Sequence, residues 1–132
     1  LTIDILNEHK EFLDHHRFIL QSNVGIDLLR EYLYKQNMKI IDEDIVKDAH
    51  HIYEIIVCEK TNDVLHYNEK DFLFGPCLRQ KKTALFYEKW QRQLEIQSQI
   101  LVSLQKEHYR YLEVKHFIQL IEGELSESKT NY

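Results

Sequence analysis

The only proline of the chain, Pro76, follows Gly75 at the point where the spacing of apolar residues changes. Before this pair, apolar residues form short runs, and the last of them, "FLF" at 72–74, is strand-like. After it, apolar residues recur every three or four positions, as in helices. Glycine allows unusual backbone angles and proline blocks strand pairing, so Phe74, Gly75 and Pro76 are predicted to form a joint between a sheet and a helical hairpin.

The first part of the chain predicts alternating helices and strands. The opening "LTIDILNEHKEFLD" has apolar residues near helical spacing, and "RFILQ" (17–21) is a short buried strand that ends in a polar turn. A helix with one broad apolar face follows in "VGIDLLREYLYKQN". Asn23 is placed to cap its start and Asn37 to close it.

Two more strands are predicted after this helix, at 39–47 and 51–60, and the short link between them favours an antiparallel pair. The second is apolar at most of its positions, which is typical of a strand buried on both faces. A right-handed crossover joins the first strand to the pair. The result is a partial α/β sheet with helices on one side and an open edge at the first strand.

The second half predicts an antiparallel, coiled-coil-like helical hairpin. Each of its helices carries an apolar stripe at helical spacing. The stripe of the first helix consists of Tyr87, Trp90, Leu94, Leu101 and Leu104, and that of the second consists of Val114, Phe117, Ile121 and Leu125. The closing "SESKTNY" is typical of a disordered tail. The predicted organisation is sheet domain, joint, hairpin and tail, at residues 1–70, 71–83, 84–125 and 126–132.

Charge and cysteine content limit the possible partners. The formal net charge is −5, yet residues 77–92 carry five basic side chains and one acidic one, Glu88. The five basic residues are Arg79, Lys81, Lys82, Lys89 and Arg92. Such a group is typical either of phosphate contacts or of a solvated surface. Cys58 and Cys77 are predicted to be reduced thiols of a cytoplasmic protein.

No apolar run approaches the ~20 residues that cross a bilayer, and no basic start precedes an apolar stretch, so neither a membrane span nor a signal peptide is predicted. The chain begins at Leu1 and has a single methionine, Met38, so we expect that its natural start lies upstream.

Motifs for metals and nucleotide cofactors are missing from the sequence. The chain has eight histidines, and its Glu113-x-x-His116 spacing resembles one half of the ligand set of a di-iron helical bundle. Such a site needs two Glu-x-x-His motifs, and the sequence has no second one, so no metal is predicted. There is no glycine-rich phosphate loop among the three isolated glycines. Cofactor-binding residues are therefore not expected in this chain.

Four segments in order resemble one protein family: "RFILQSN", "LLREYLYKQNMKIIDEDIV", "HIYEIIVCEK" and "FLFGPCLRQKKTALFYEKW". They resemble the "ILQPN" turn, "LREW" helix, "KIYEI" strand and "FGP.L" joint of the bacterial tRNA adenine-22 N1-methyltransferases (TrmK). The resemblance covers nearly the whole chain. It implies the carboxyl-terminal part of a class I Rossmann-like sheet, from its fifth strand onward, followed by a helical extension.

The resemblance implies a reaction and its participants. S-adenosylmethionine would donate a methyl group to N1 of an adenine in the tRNA D-arm, with the main cofactor motifs upstream of residue 1. Gln21, Ser22 and Asn23 would form the edge of the adenine pocket, although Ser22 stands where the family has proline. The basic residues of 77–92 would contact tRNA phosphates, and no catalytic residue is identified. The isolated chain is expected to lack methyltransferase activity.

Other interpretations stay open at this point. The 21–23 turn also suits an ordinary helix cap, and Phe86, Tyr87 and Trp90 suit either base stacking or the hairpin core. The main alternative function is a non-enzymatic helical hairpin that binds another protein. A metal-dependent helical protein is a third hypothesis.

Overall fold

The computed structural model describes residues 2–22 and 25–127. Its contacts divide the chain into two compact units, Leu1–Lys81 and Lys82–Tyr132. The first unit contains four helices, one turn of 3-10 helix and three strands among the described residues, and the second contains two helices. The domain ranges predicted from the sequence stay predictions, and the predicted tail lies outside the described residues from 128 onward.

The first unit follows the predicted order of helix and strand as far as its third strand. Its elements are α1 (Thr2–Glu8), a 3-10 turn (Lys10–Phe12), β1 (Arg17–Ser22), α2 (Ile26–Lys35), β2 (Met38–Asp48), β3 (His51–Lys60), α3 (Glu69–Phe74) and α4 (Pro76–Lys81). Asn37 closes α2 with a left-handed φ of 57°, and its N–H donates to the carbonyl of Tyr34 at 3.1 Å. The cap at the other end differs from the prediction, because Gly25 precedes the helix and Asn23 lies outside the described residues.

The three strands form one sheet in the order β1-β3-β2. β3 is antiparallel to both neighbours, so β1 and β2 run parallel to each other on either side of it. The predicted pairing of the last two strands is therefore confirmed, with a tight turn at 49–50 between the paired Asp48 and His51.

The core of the first unit lies between one face of the sheet and helices α1 and α2. Eight buried apolar side chains form it: Leu6, Leu13, Leu29, Leu33, Met38, Ile40, Ile56 and Cys58. On the other face the side chain of Ile19 is 74% exposed. Buried positions alternate with half-buried ones along the middle of β3, so the strand is fully buried on one face only, which corrects its prediction as a strand buried on both faces.

The "FLF" run is helical, which corrects its strand-like interpretation. Phe72, Leu73 and Phe74 form the end of α3. Asn68 starts this helix with a capping box, since its side chain accepts from the N–H of Asp71 while the carboxylate of Asp71 accepts from the N–H of Asn68. This local capping outweighs the strand preference of three consecutive apolar residues.

The second unit consists of α5 (Ala84–Ser103) and α6 (Tyr111–Ser126). Lys82, just before α5, lies beside Glu124 near the end of α6, and the Trp90 ring contacts Phe117 at a centroid distance of 6.3 Å. The order of these contacts makes the two helices antiparallel. Phe86, Trp90, Val114 and Ile121 are buried between them.

Candidate functional site

Three charged side chains meet inside the first unit: Arg30 of α2, Glu43 of β2 and Glu54 of β3. Each is at most 2% exposed. Arg30 Nε donates to Glu43 Oε2 at 2.8 Å, and Arg30 Nη2 donates to Glu54 Oε1 at 2.5 Å. Buried charges are costly unless they are paired and hydrogen-bonded, and these groups meet both conditions. We call Arg30, Glu43 and Glu54 the Arg30 cluster.

A bulge in β2 brings Glu43 into the cluster. Met38 and Ile40 face the interior, and the pairing with β3 then shifts between Ile40 and Asp42. A bulge adds a residue to one strand, so the alternation of faces is displaced after it. As a result Glu43 and not Asp42 turns inward, and Asp42 remains exposed.

The Arg30 cluster also holds residues 72–78, which we call the elbow, against the sheet. Arg30 Nη1 donates to the carbonyl oxygens of Phe72 and Leu73, at 3.0 and 3.4 Å, at the end of α3. Glu43 Oε1 accepts from the N–H groups of Cys77 and Leu78, at 2.8 and 3.3 Å, at the start of α4. Arg30 therefore donates to carbonyl groups at the end of α3 that lack a partner within the helix. Glu43 likewise accepts from N–H groups at the start of α4 that lack one.

Glycine is the residue type that fits at position 75, the centre of the elbow. Its φ is 92°, which disfavours residues with a side chain. A Cβ atom there would lie 2.6 Å from Glu43 Oε1 and 2.7 Å from Arg30 Nη2. Gly75 and Pro76 thus join two short helices within the first unit, next to a buried ion cluster.

The hydrogen bonds of the Arg30 cluster favour a charged arrangement. Burial opposes the charge on Arg30, but the neighbouring Glu54 and Glu43 outweigh it, so the pKa of Arg30 is raised. Burial raises the pKa of Glu43, while Arg30 and the N–H groups of Cys77 and Leu78 oppose that rise. Both oxygens of Glu43 accept from fixed donors, which fits a carboxylate and not a carboxylic acid.

The two cysteines are unsuited to nucleophilic chemistry. Both are free thiols. Burial raises the pKa of Cys58 to about 12, and burial together with Glu43 raises the pKa of Cys77 to about 11. The reactive thiolate is therefore scarce at neutral pH.

The predicted pocket-edge residues lie at the end of β1. Gln21 is exposed and Ser22 is half-buried, while Asn23 lies outside the described residues. Ser22 pairs directly with Glu54 across the β1–β3 ladder. The structure therefore brings this end of β1 next to the Arg30 cluster, a proximity that sequence reasoning missed.

The predicted phosphate-contacting residues fall into both units. In the first unit, Arg79 and Lys81 lie on α4, where Arg79 Nη1 bonds Asp71 Oδ1 and Lys81 Nζ bonds Asp42 Oδ1, each at 2.7 Å. In the second unit, Arg92 is exposed and Lys89 half-buried on α5.

Lys82 differs from the surface position expected from the sequence. Its side chain is 2% exposed and its ammonium lies 3.6 Å from Glu124 Oε1, inside the second unit. The aromatic stripe of α5 is also internal, since Phe86 and Trp90 are buried and their ring centroids lie 6.5 Å apart. Tyr87 is half-buried. The structure therefore places Phe86 and Trp90 in the core between α5 and α6.

The part of the chain that the structure describes, residues 2–22 and 25–127, contains neither a metal-ligand cluster nor a membrane-spanning helix. Within these ranges, no three His, Cys, Asp or Glu side chains lie close enough together to hold a metal ion. No described helix is both long and apolar enough to cross a membrane. An open groove, lined by Tyr34, Lys60 and the 61–65 loop among others, lies at the end of the sheet opposite to Ser22.

Comparisons with known proteins give a consistent result. A family model described as TrmK, tRNA (adenine(22)-N(1))-methyltransferase, matches residues 1–123. The chain is 35% identical over 100 residues to the tRNA (adenine(22)-N(1))-methyltransferase of Bacillus subtilis strain 168, a stretch that covers 72% of this chain and 42% of that protein.

Solved structures share the fold. A protein of the NADB-Rossmann superfamily from Streptococcus agalactiae matches with a TM-score of 0.88 at 31% identity, over 95% of this chain and 55% of that one. A candidate tRNA (m1A22) methyltransferase from Streptococcus pneumoniae, in complex with S-adenosyl-L-methionine, matches with a TM-score of 0.81 at 30% identity, over 92% of this chain and 53% of that one. The predicted α/β, Rossmann-like fold class is confirmed. The chain spans about half the length of these proteins.

Proposed function

The chain belongs to the TrmK family of tRNA (adenine(22)-N(1))-methyltransferases, and from that membership we propose that it is a portion of an enzyme that methylates N1 of adenine 22 in the tRNA D-arm. The observation that carries this proposal is the family match over residues 1–123. The methyl donor would be S-adenosylmethionine, which is bound in the Streptococcus pneumoniae neighbour. Because tRNA is the substrate, we also propose a cytoplasmic location.

We propose that the cofactor is held mainly by residues outside this chain. Nucleotide cofactors are typically held by glycine-rich loops, and the three glycines of this chain are isolated. Beside Gly75, the space is filled by Glu43 and Arg30. S-adenosylmethionine supplies an activated methyl group when bound, and we expect its binding residues in the part of the relatives that this chain does not match.

The end of β1 is our proposed edge of the adenine pocket. The amide side chain of Gln21 is exposed there and can both donate to and accept from the edge of a base. Asn23 is included in the proposal because it matches the family motif. Holding adenine in line with the methyl donor can supply much of the rate without an acid or a base, so these residues would act by orientation.

The basic side chains of α5 are our proposed contact with the tRNA backbone. Lys89 Nζ lies 4.9 Å from the centre of the Trp90 ring, and Arg92 lies one helical turn from Glu88. Arg79 and Lys81 on α4 are further candidates, whereas Lys82 is left out because it is buried. Phosphate contacts of this kind fix orientation without reading sequence.

Charge reversal on α5 tests this contact. Lys89→Glu with Arg92→Glu should weaken tRNA binding by at least tenfold at low salt and flatten its salt dependence, because two phosphate contacts are lost. Lys35→Glu with Lys39→Glu changes the charge equally in the first unit and should have a much smaller effect. Filter-binding titrations over a range of salt concentrations measure both. Equal affinities for all three proteins would favour the non-enzymatic protein-interaction module.

A fusion protein tests the reaction. The part of the Bacillus subtilis relative that lies outside the matched stretch is joined to this chain and incubated with tRNA transcript and labelled S-adenosylmethionine. The fusion should transfer label to tRNA, whereas the isolated chain should not. A folded fusion that binds S-adenosylmethionine and transfers no label would contradict the proposed function.

A further inference from the structure

Ser22, the last residue of β1, and the Arg30 cluster share one face of the sheet, whereas Gln21 stands on the other face. Ser22 and Glu54 are directly opposite each other in an antiparallel ladder, and side chains in that relation stand on the same face, about 5 Å apart at Cβ. Glu54 is in turn fixed by Arg30 Nη2 at 2.5 Å. A short chain of contacts therefore runs from α2 through β3 to the proposed pocket edge.

We propose that the Arg30 cluster positions the proposed substrate-binding end of β1 relative to the elbow at 72–78. The proposal rests on the proposed function for its purpose, since the end of β1 is where adenine would be held. Arg30, Glu43 and Glu54 are positioning residues in this account, because they act through Ser22 and the elbow and are themselves buried.

The geometry of arginine explains how one side chain can do this. Its nitrogens form a rigid planar fork, and here each bonds a different element. Nε bonds Glu43 on β2, Nη2 bonds Glu54 on β3, and Nη1 bonds carbonyls at the end of α3. If any one element shifts, a buried group loses its partner and its desolvation is no longer compensated.

Stability alone is a poor reason for such a cluster. Replacing a buried ion cluster by apolar residues of similar volume is often neutral or stabilising, whereas removing one partner is strongly destabilising. Stability and positioning can therefore be separated by mutation.

The test measures amide hydrogen exchange in the full chain, comparing the peptide that covers 17–22 and the amides of Cys77 and Leu78 with the rest of the first unit. The first variant is Arg30→Lys, which keeps the charge but loses the fork. The second combines Arg30→Met, Glu43→Leu and Glu54→Met, which removes all three charges. The matched control is Arg17→Met, which breaks the exposed Arg17–Glu59 pair at the other end of the same two strands.

Both cluster variants should speed exchange at 17–22 and at Cys77 and Leu78 at least tenfold more than Arg17→Met does. In the triple variant this acceleration should remain local even where the urea midpoint returns to that of the unaltered chain. Wild-type exchange at these amides in either variant, or a uniform acceleration across the first unit, would overturn the positioning role. If the triple variant does not fold, Arg30→Lys decides between these outcomes alone.

Kinetics of the fusion protein link the positioning role to the reaction. Arg30→Lys in the fusion should lower kcat at least tenfold and leave the KM for tRNA within twofold, because alignment is lost while the phosphate contacts remain. A change in KM alone would contradict the positioning role. A fusion with no activity before mutation would count against the proposed function, and the exchange measurement would still decide the structural part of the inference.

Discussion

In the first unit a buried arginine meets two glutamates at 2.8 and 2.5 Å, whereas in the second a buried lysine lies 3.6 Å from one glutamate. The Arg30 cluster bonds three elements and the elbow with directional hydrogen bonds. Lys82 also lies 5.8 Å from the centre of the Phe86 ring, within a core of tilted or edge-on aromatic rings and aliphatic side chains. Directional bonds fix positions, whereas apolar packing mainly requires the right volume. The first unit should therefore tolerate conservative changes less well than the second.

Conservative changes in the two cores test this difference most strongly. Glu43→Gln keeps the shape of the side chain but removes the charge, and it turns an amide NH₂ toward Arg30 or toward the N–H groups of Cys77 and Leu78. We expect it to lower the free energy of unfolding of the first unit by about 3 kcal/mol, as for a buried pair that loses one partner. Phe86→Leu changes volume within an apolar core and should cost the second unit only about 1 kcal/mol.

The two units can be followed separately in this experiment. Trp90 is the only tryptophan and lies in the second unit, so its fluorescence reports on that unit, while exchange of β2 and β3 amides reports on the first. Urea titrations read by both probes give the two losses. A larger loss of unfolding free energy for Phe86→Leu than for Glu43→Gln would contradict the expected difference between the two units.

Two glycine substitutions separate the cost of an unfavourable φ from the cost of a steric clash. Gly75→Ala should cost about 2 kcal/mol or more, since it combines an unfavourable φ with a Cβ within 3 Å of two charged groups. Gly25→Ala also has a positive φ, 69°, but nothing lies within 4 Å of its Cβ position, so about 1 kcal/mol is expected. Thermal unfolding of both variants measures the difference. Equal losses would show that the Arg30 cluster yields to an added methyl group.

The exposed pair of Asp42 and Lys81 should give the smallest effect. The hydrogen bond from Lys81 lowers the pKa of Asp42. A carboxyl group whose pKa is lowered by folding contributes stability above its unfolded value, near 3.9, and loses it as the pH falls through the folded value. Asp42→Asn should therefore cost about 0–1 kcal/mol at pH 7 and progressively less as the pH falls through the folded pKa, in urea titrations at a series of pH values. A cost that grows in acid would contradict this sign.

The regular elements were predictable because their signals are local. β2 and β3 stand out as apolar runs around a short link, and Asn37 ends α2 as its tolerance for left-handed angles predicts. Hydrophobic spacing predicted only the three strands that the chain contains. The Rossmann-like fold class came from the family resemblance, because three strands alone do not specify the larger sheet of which they are part.

The Arg30 cluster could not be read from spacing because it depends on a bulge. Simple alternation along β2 does not place Glu43 beside Ile40 and Ile45 on the inner face, and only the extra residue does so. A usable signal was present in α2, where Arg30 follows Leu29 and precedes Leu33 on the apolar face. An arginine in such a stripe indicates a buried partner. The burial of Lys82 gave no comparable signal, since its partner Glu124 is distant in sequence.

Mapping the methylated nucleotide is the most direct test of the central claim that this chain completes a tRNA adenine methyltransferase. The fusion protein is incubated with S-adenosylmethionine and tRNA, and the modified position is located by primer extension, with a tRNA carrying guanine at position 22 as control. The account predicts a single new stop at adenine 22 and none in the control. Methylation elsewhere, or equal stops on both tRNAs, would contradict it.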